Sequence, residues 1–308
     1  MRETFIRTLT ELARIDNRIY LLTADMGYGL VNPFADKFPD RFINVGVAEQ
    51  NMIGVATGLA LSGKVVFCYS IATFPTLRCL DQIRNDGCAH KANVTIVAGG
   101  TGLTYGELGS THHAIQDIAC MRSLSDMTVI APGDVIEVEL ATKAIMKRGG
   151  PNYMRLGRFE DTDIKGSRKF TIGKVRELPL VGNDAIIIAT GSMLNTAINA
   201  SMELAPDYLV NVLSCHTIKP IDDVAILVAT KETKVIITVE EHSIIGGLGS
   251  AVAEVLTDNH LDCKLKRMGI PDEAMNRAFS WEQLREIYHL TVDGIVAEVK
   301  KLHEKATS

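Results

Sequence analysis

The residues best placed to do chemistry lie in four short segments: TADMGYG (23–29), GVAEQN (46–51), YSIATF (69–74) and GGTGLTYGELGSTHH (99–113). Each follows an apolar run, and open parallel sheets bind ligands beyond the carboxyl ends of their strands. The fourth segment has five glycines and ends in His112-His113. Glycine permits left-handed backbone and close approach, so this stretch is either a surface connection or a substrate-contacting loop, and long loops of this kind are often functional. Glu49 stands at a helix start, where the macrodipole alone favours a carboxylate by ~0.3–1 kcal/mol. One histidine of the pair is expected to face inward and the other solvent. Without further ligands at suitable spacing, the pair is poor evidence for a metal. Arg155 and Arg158 flank the end of a strand, where surface salt bridges are the ordinary explanation.

Several familiar motifs fail. The run GGLGSAV (246–252) follows a strand and precedes a helix, yet Val252 stands where a dinucleotide fingerprint needs Gly or Ala. Tight helix–strand packing is the simpler reading. No G-x-x-x-x-G-K-[ST], H-E-x-x-H or G-x-S-x-G occurs. Cys215-His216 reads as a strand end rather than a nucleophile pair.

The elements that must carry these segments alternate as in βαβ folds. Phe5, Leu9 and Leu12 fall at helical spacing, and Ile19–Thr23 reads as a buried strand. A strand at 42–46 leads into a helix at 49–61 rich in Gly and Ala, and further strands are expected at 65–69, 94–98, 128–131 and 153–156. The polar stretch 158–175 breaks the pattern, which resumes with strands at 185–189, 209–213 and 235–239. Ser280 with Gln283 forms a capping-box pair ahead of the single tryptophan, Trp281. The fold class is therefore α/β: two domains with mostly parallel sheets flanked by helices. The expected domains are 1–160 and 181–308, with 161–180 as linker.

Composition narrows the function classes. With 308 residues, 46% apolar and 22% charged, the chain can bury a sizeable core in each domain. A net charge of −5 argues against a general nucleic-acid or anionic-membrane binder. Six scattered cysteines read as reduced thiols, and no secretory signal or membrane-spanning run is visible, so a cytoplasmic location is expected.

Together the segments resemble the C-terminal part of transketolases. RFINVGVAEQNMIGVATGLALSG is similar to the family segment with the catalytic glutamate. YGELGSTHHA resembles its G-E-D-G-P-T-H-Q-P loop, and LSCHTIKPID and TVEEHSIIGGLGSAVAE match its C-terminal domain. The resemblance implies a pyrimidine-binding domain and a C-terminal domain, and thiamine diphosphate as cofactor. The family's G-D-G signature for diphosphate and Mg²⁺ is missing, since Gly133-Asp134 continues with Val135. A split enzyme follows: an N-terminal transketolase subunit holds the diphosphate and Mg²⁺, in an α2β2 assembly with small sugar substrates.

By resemblance, Glu49 hydrogen-bonds N1′ of the aminopyrimidine, and the cofactor does the carbanion chemistry. Phe74 packs on the pyrimidine ring, with Leu77 and Leu80 at two further family aromatics. Asp25 matches an acidic residue at the subunit contact, and His112 a histidine that contacts donor hydroxyls. Arg2 and Arg158 remain as anion contacts. Leu108 replaces the Asp of G-E-D and Gly100 replaces a histidine, so a modified sugar stands beside a sugar phosphate as the implied substrate. Two alternatives stand beside this: a β-type subunit of a 2-oxoacid dehydrogenase, and a non-catalytic scaffolding paralogue.

Overall fold

The structure is a computed structural model that describes residues 1–158, 164, 168–178, 182–273 and 278–307. Its strands are β1 (Ile19–Thr23), β2 (Phe42–Asn44), β3 (Val65–Ile71), β4 (Val94–Gly99), β5 (Thr128–Ile130) and β6 (Asn152–Leu156). They are followed by β7 (Arg176–Glu177), β8 (Ala185–Ala189), β9 (Val210–Ser214), β10 (Thr217–Lys219), β11 (Val235–Ser243) and β12 (Lys264–Ile270). The first sheet runs β10-β5-β6-β4-β3-β1-β2 and the second β12-β11-β8-β9-β7. Every pairing is parallel except β10 with β5 and β7 with β9.

Burial on both faces explains the apolar strands. All of Val65–Ile71 is buried. Phe67 packs with Phe5, Leu9 and Val97, while its neighbour Cys68 joins Met52, Ile53 and Ile96 on the opposite face. That alternation is the period-2 geometry of a strand covered by helices on each side. The second sheet repeats the arrangement, with Ile187 on one core and Ile186 and Ile188 on the other. The capping box at Ser280 forms as expected. The glycines of 246–252 also serve packing: a Cβ on Gly249 would lie 2.8 Å from Thr238 Oγ1 and Arg267 Cγ.

Two features depart from a simple two-part chain. The expected linker is described at 164 and 168–178, and its Arg176–Glu177 stretch adds an edge strand to the second sheet. Thr217–Lys219, well inside the second half, crosses back to extend the first sheet. Arg176 is buried and pairs with Asp134 at 2.6 Å and with Glu137 at 3.4 Å, so carboxylates at the start of the Val135–Arg148 helix hold this segment. Burial and the neighbouring Asp134 push the Glu137 carboxyl up to about 7.

Candidate active site

Glu49 opens the Glu49–Leu61 helix, just after β2 and a left-handed turn at Gly46. Its side chain is 2% exposed, and Oε2 accepts a hydrogen bond from Arg78 Nη1 at 2.6 Å. A carboxylate stripped of water needs such a partner, so the helix dipole alone does not account for this residue. Arg78 ends a π-helical turn, Phe74–Arg78, that follows β3. Its guanidinium carbon lies 4.6 Å from the Phe74 ring centroid. The His112 ring meets the same phenyl edge-on at 5.4 Å. One half-exposed arginine thus touches both the buried acid and the aromatic ring beside it.

The loop at 99–113 places its two histidines differently. His113 is the inward one, and its Nε2 bonds the Gly106 carbonyl at 2.9 Å. His112 is half-buried, with Nδ1 2.9 Å from the Thr111 hydroxyl. Leu77 and Leu80 follow Phe74 on the neighbouring turns, the first exposed and the second half-buried. Asp25 sits at the end of β1 with φ 54° and does not join this cluster. Its Oδ1 accepts from the Tyr28 hydroxyl at 2.5 Å and from Asn44 Nδ2 at 3.3 Å. The Tyr28 bond, then the Asn44 bond, hold the Asp25 carboxyl below the usual range. Asn44 in turn accepts from the Gly46 amide at 3.0 Å, which shapes the approach to Glu49.

Arg2, Gly100 and Arg158 line a separate open cleft of about 1380 Å³, together with Tyr69, Tyr105 and the Gly27–Gly29 turn. Arg2 neighbours the Tyr69 hydroxyl, whose burial pushes it up to about 12 despite the cation. Tyr105 belongs to the cleft and also meets the His112 ring edge-on at 6.2 Å, so it joins the two groups. Leu108 is 56% exposed and lies outside the cleft lining. Arg158 reaches over the Trp281 ring at 5.9 Å.

Arg155 is no surface residue. It is buried and bonds Asp117 through Nε at 2.7 Å, the Ala114 carbonyl at 3.0 Å and the Glu241 carbonyl at 2.9 Å. β6 lies inside the first sheet, so its last turns face the second domain instead of water. Residues that sequence patterns did not single out complete the site. Glu241 accepts from the Leu103 amide at 2.8 Å, Trp281 Nε1 at 3.1 Å and Arg285 Nε at 2.6 Å. It therefore ties the Gly-rich loop to the second domain. Arg78 carried one available signal, its place one turn after Phe74; Glu241 and Tyr105 carried none by spacing.

The arrangement suits half of a planar heteroaromatic cofactor. A buried carboxylate beside an aromatic face offers an acceptor for a protonated ring nitrogen and a surface for the ring. Among the described residues, no three His, Cys, Asp or Glu side chains gather as a metal–diphosphate site would need.

Family models match both halves of the chain. The transketolase pyrimidine-binding domain matches residues 1–160 and the transketolase C-terminal domain matches 173–295. The chain belongs to the transketolase family. It is 38% identical over 308 residues to a 6-deoxy-6-sulfo-D-fructose transketolase subunit of Clostridium sp. (strain MSTE9), covering 99% of this chain and 95% of that protein. It is also 38% identical to an apulose-4-phosphate transketolase subunit of Phocaeicola vulgatus, covering 96% and 94%. A solved split-gene transketolase, described as an inactive beta4 tetramer, superposes with a TM-score of 0.86 at 36% identity, covering 97% and 96%. The chain is similar over nearly its whole length to these subunits and has the family's two-sheet fold. Membership implies thiamine diphosphate dependence, and the naming of these relatives as subunits implies a partner chain.

Proposed function

We propose that this subunit, joined to an N-terminal transketolase chain, transfers a two-carbon ketol unit from a ketose to an aldose. The observation that carries this reading is the buried Glu49 carboxylate grouped with Phe74 and His112 beside an arginine-lined cleft. In this reading residues 1–160 form the pyrimidine-binding domain and 181–308 the C-terminal domain, joined through 161–180. Thiamine diphosphate, when bound, supplies the carbanion chemistry of ketol transfer.

The chain's own residues do the remaining work. Glu49 would hold the pyrimidine N1′ and accept a hydrogen bond from it once that nitrogen is protonated, and Arg78, whose side chain is 46% exposed, would release the carboxylate towards solvent. Phe74, Leu77 and Leu80 cover the pyrimidine ring, and Asp25 shapes the subunit contact. His112 bonds the donor's hydroxyls. Arg2 and Arg158 grip the sugar's terminal anion, and the partner subunit holds the diphosphate with Mg²⁺.

Gly54 and Gly58 lie on the open face of the Glu49–Leu61 helix, with no heavy atom within 4 Å of a Cβ built on either. Close approach of another chain there suits an α2β2 assembly. The hydrogen-bonding side chains absent at Gly100 and Leu108 favour a modified sugar, and so do the sulfosugar and apulose phosphate in the names of two relatives. The test is co-expression with the partner chain and an assay of ketol transfer from xylulose 5-phosphate and from 6-deoxy-6-sulfofructose. Partner-dependent, thiamine-diphosphate-dependent transfer is expected. Full activity of the purified chain alone, or none in the assembled pair, would overturn the proposal.

A further inference from the structure

We infer that Tyr105 is a specificity-determining residue, reading an acceptor hydroxyl from the wall of the cleft where Gly100 leaves space for its ring. The inference rests on the proposed ketol transfer and concerns which acceptor the site takes. Gly100 has φ +68°, and a Cβ built on it would lie 2.0 Å from Tyr105 Cε2 and 2.7 Å from Cζ. Any side chain at position 100 would therefore collide with the phenol. The two positions form one packing unit: glycine is required at 100 because the tyrosine ring occupies the neighbouring volume.

The ring is placed to meet a substrate. It lines the cleft with Arg2 and Arg158 and meets the His112 ring at 6.2 Å. It stands between the histidine expected at the reacting carbons and the arginines expected at the anionic tail. Tyr105 is half-buried, and among the described residues its hydroxyl takes no hydrogen bond. The hydroxyl is open to the cleft, where it can exchange water for a ligand group that both donates and accepts. A hydroxyl on the middle carbons of a polyhydroxy aldehyde is the chemistry that satisfies it. Neighbouring Tyr69 is already committed to Arg2, so Tyr105 is the cleft phenol with hydrogen-bonding capacity to spare.

The experiment has two arms. In the assembled two-chain enzyme, Tyr105→Phe should raise the KM for the better of two probe acceptors, erythrose 4-phosphate and ribose 5-phosphate, by about 3- to 10-fold, the size of one lost hydrogen bond. It should leave kcat within about 2-fold, and the donor half-reaction, followed without acceptor, unchanged. Unchanged acceptor KM would overturn the specificity role. A wild-type pair that transfers to neither acceptor would overturn the specificity role, and one that also fails the donor half-reaction would overturn the functional reading with it. In the second arm, thermal melting of the full chain compares Gly100→Ala alone with Gly100→Ala in the Tyr105→Ala background. The penalty should shrink markedly once the ring is gone; equal penalties would overturn the packing unit.

Discussion

Glu241→Gln tests how the second domain controls the catalytic loop. Glu241 Oε1 takes the Leu103 amide at 2.8 Å, while Oε2 takes Trp281 Nε1 at 3.1 Å and Arg285 Nε at 2.6 Å. Glutamine has one acceptor oxygen and an NH₂ group. If its oxygen faces Trp281 and Arg285, the NH₂ opposes the Leu103 amide; if reversed, it opposes the other two. Either way a buried donor is orphaned, at ~1–3 kcal/mol. Buried Arg285 also loses its counter-charge, and breaking such a pair costs ~3–5 kcal/mol. The terms overlap, so the expected loss is ~3–5 kcal/mol, or roughly 6–15 °C in melting temperature for a chain of this size. The single tryptophan reports the event directly, because its indole N–H bonds the substituted group. Melting followed by tryptophan fluorescence should show a lower midpoint and an altered native emission. Donor KM should rise too, since Leu103 anchors the loop that carries His112. A midpoint within ~2 °C of wild type, with unchanged emission, would refute the reasoning, because the orphaned donors would then have found other partners.

Other outcomes follow from the same geometry. Glu49→Gln should abolish ketol transfer in the assembled pair while leaving its melting temperature close to wild type, since an amide oxygen can still accept from Arg78. Arg78→Ala should destabilise the isolated chain by ~1.5–3 kcal/mol, the size of a hydrogen bond to a charged group, and urea titration measures it. Stability should be nearly flat between about pH 4.5 and 6.5 and fall more steeply below, read as the urea midpoint against pH. Burial lowers His216 to about 3 and His242 to about 4, so their contribution is complete above the ordinary histidine value and is lost as pH falls. Burial raises Glu137 and Glu240 to about 7, so their contribution is complete at low pH and is lost as pH rises toward 7. The two pairs offset each other across the shared window. Below it the histidines continue to titrate, joined by carboxyls held low in the fold, among them Asp117, which Arg155 holds low against burial, and Asp25.

Among the described residues, no helix is long and apolar enough to cross a membrane. The sites most legible in the sequence were those made by local pattern. Glu49 at a helix start, the Ser280–Gln283 capping box and the inward His113 of the 99–113 loop all appear where spacing put them, whereas His112, expected at solvent, is half-buried against Phe74 and Tyr105. Arg155 was misjudged because its burial depends on the second domain closing over β6. Arg78 and Glu241 were missed because their partners are 29 and 138 residues away.

By itself the sequence determined the class and order of most elements, though not the strands β7, β10 and β12. Helices and strands follow from the spacing of apolar side chains over a few residues, which any short stretch of chain displays. Only the tertiary structure decided which polar groups share a site. It paired Glu49 with Arg78 over Phe74, set Tyr105 against Gly100, and returned Thr217–Lys219 to the first sheet. Those choices depend on which surfaces lose water together. A buried charge must find its partner wherever packing brings one, and no local period records that distance.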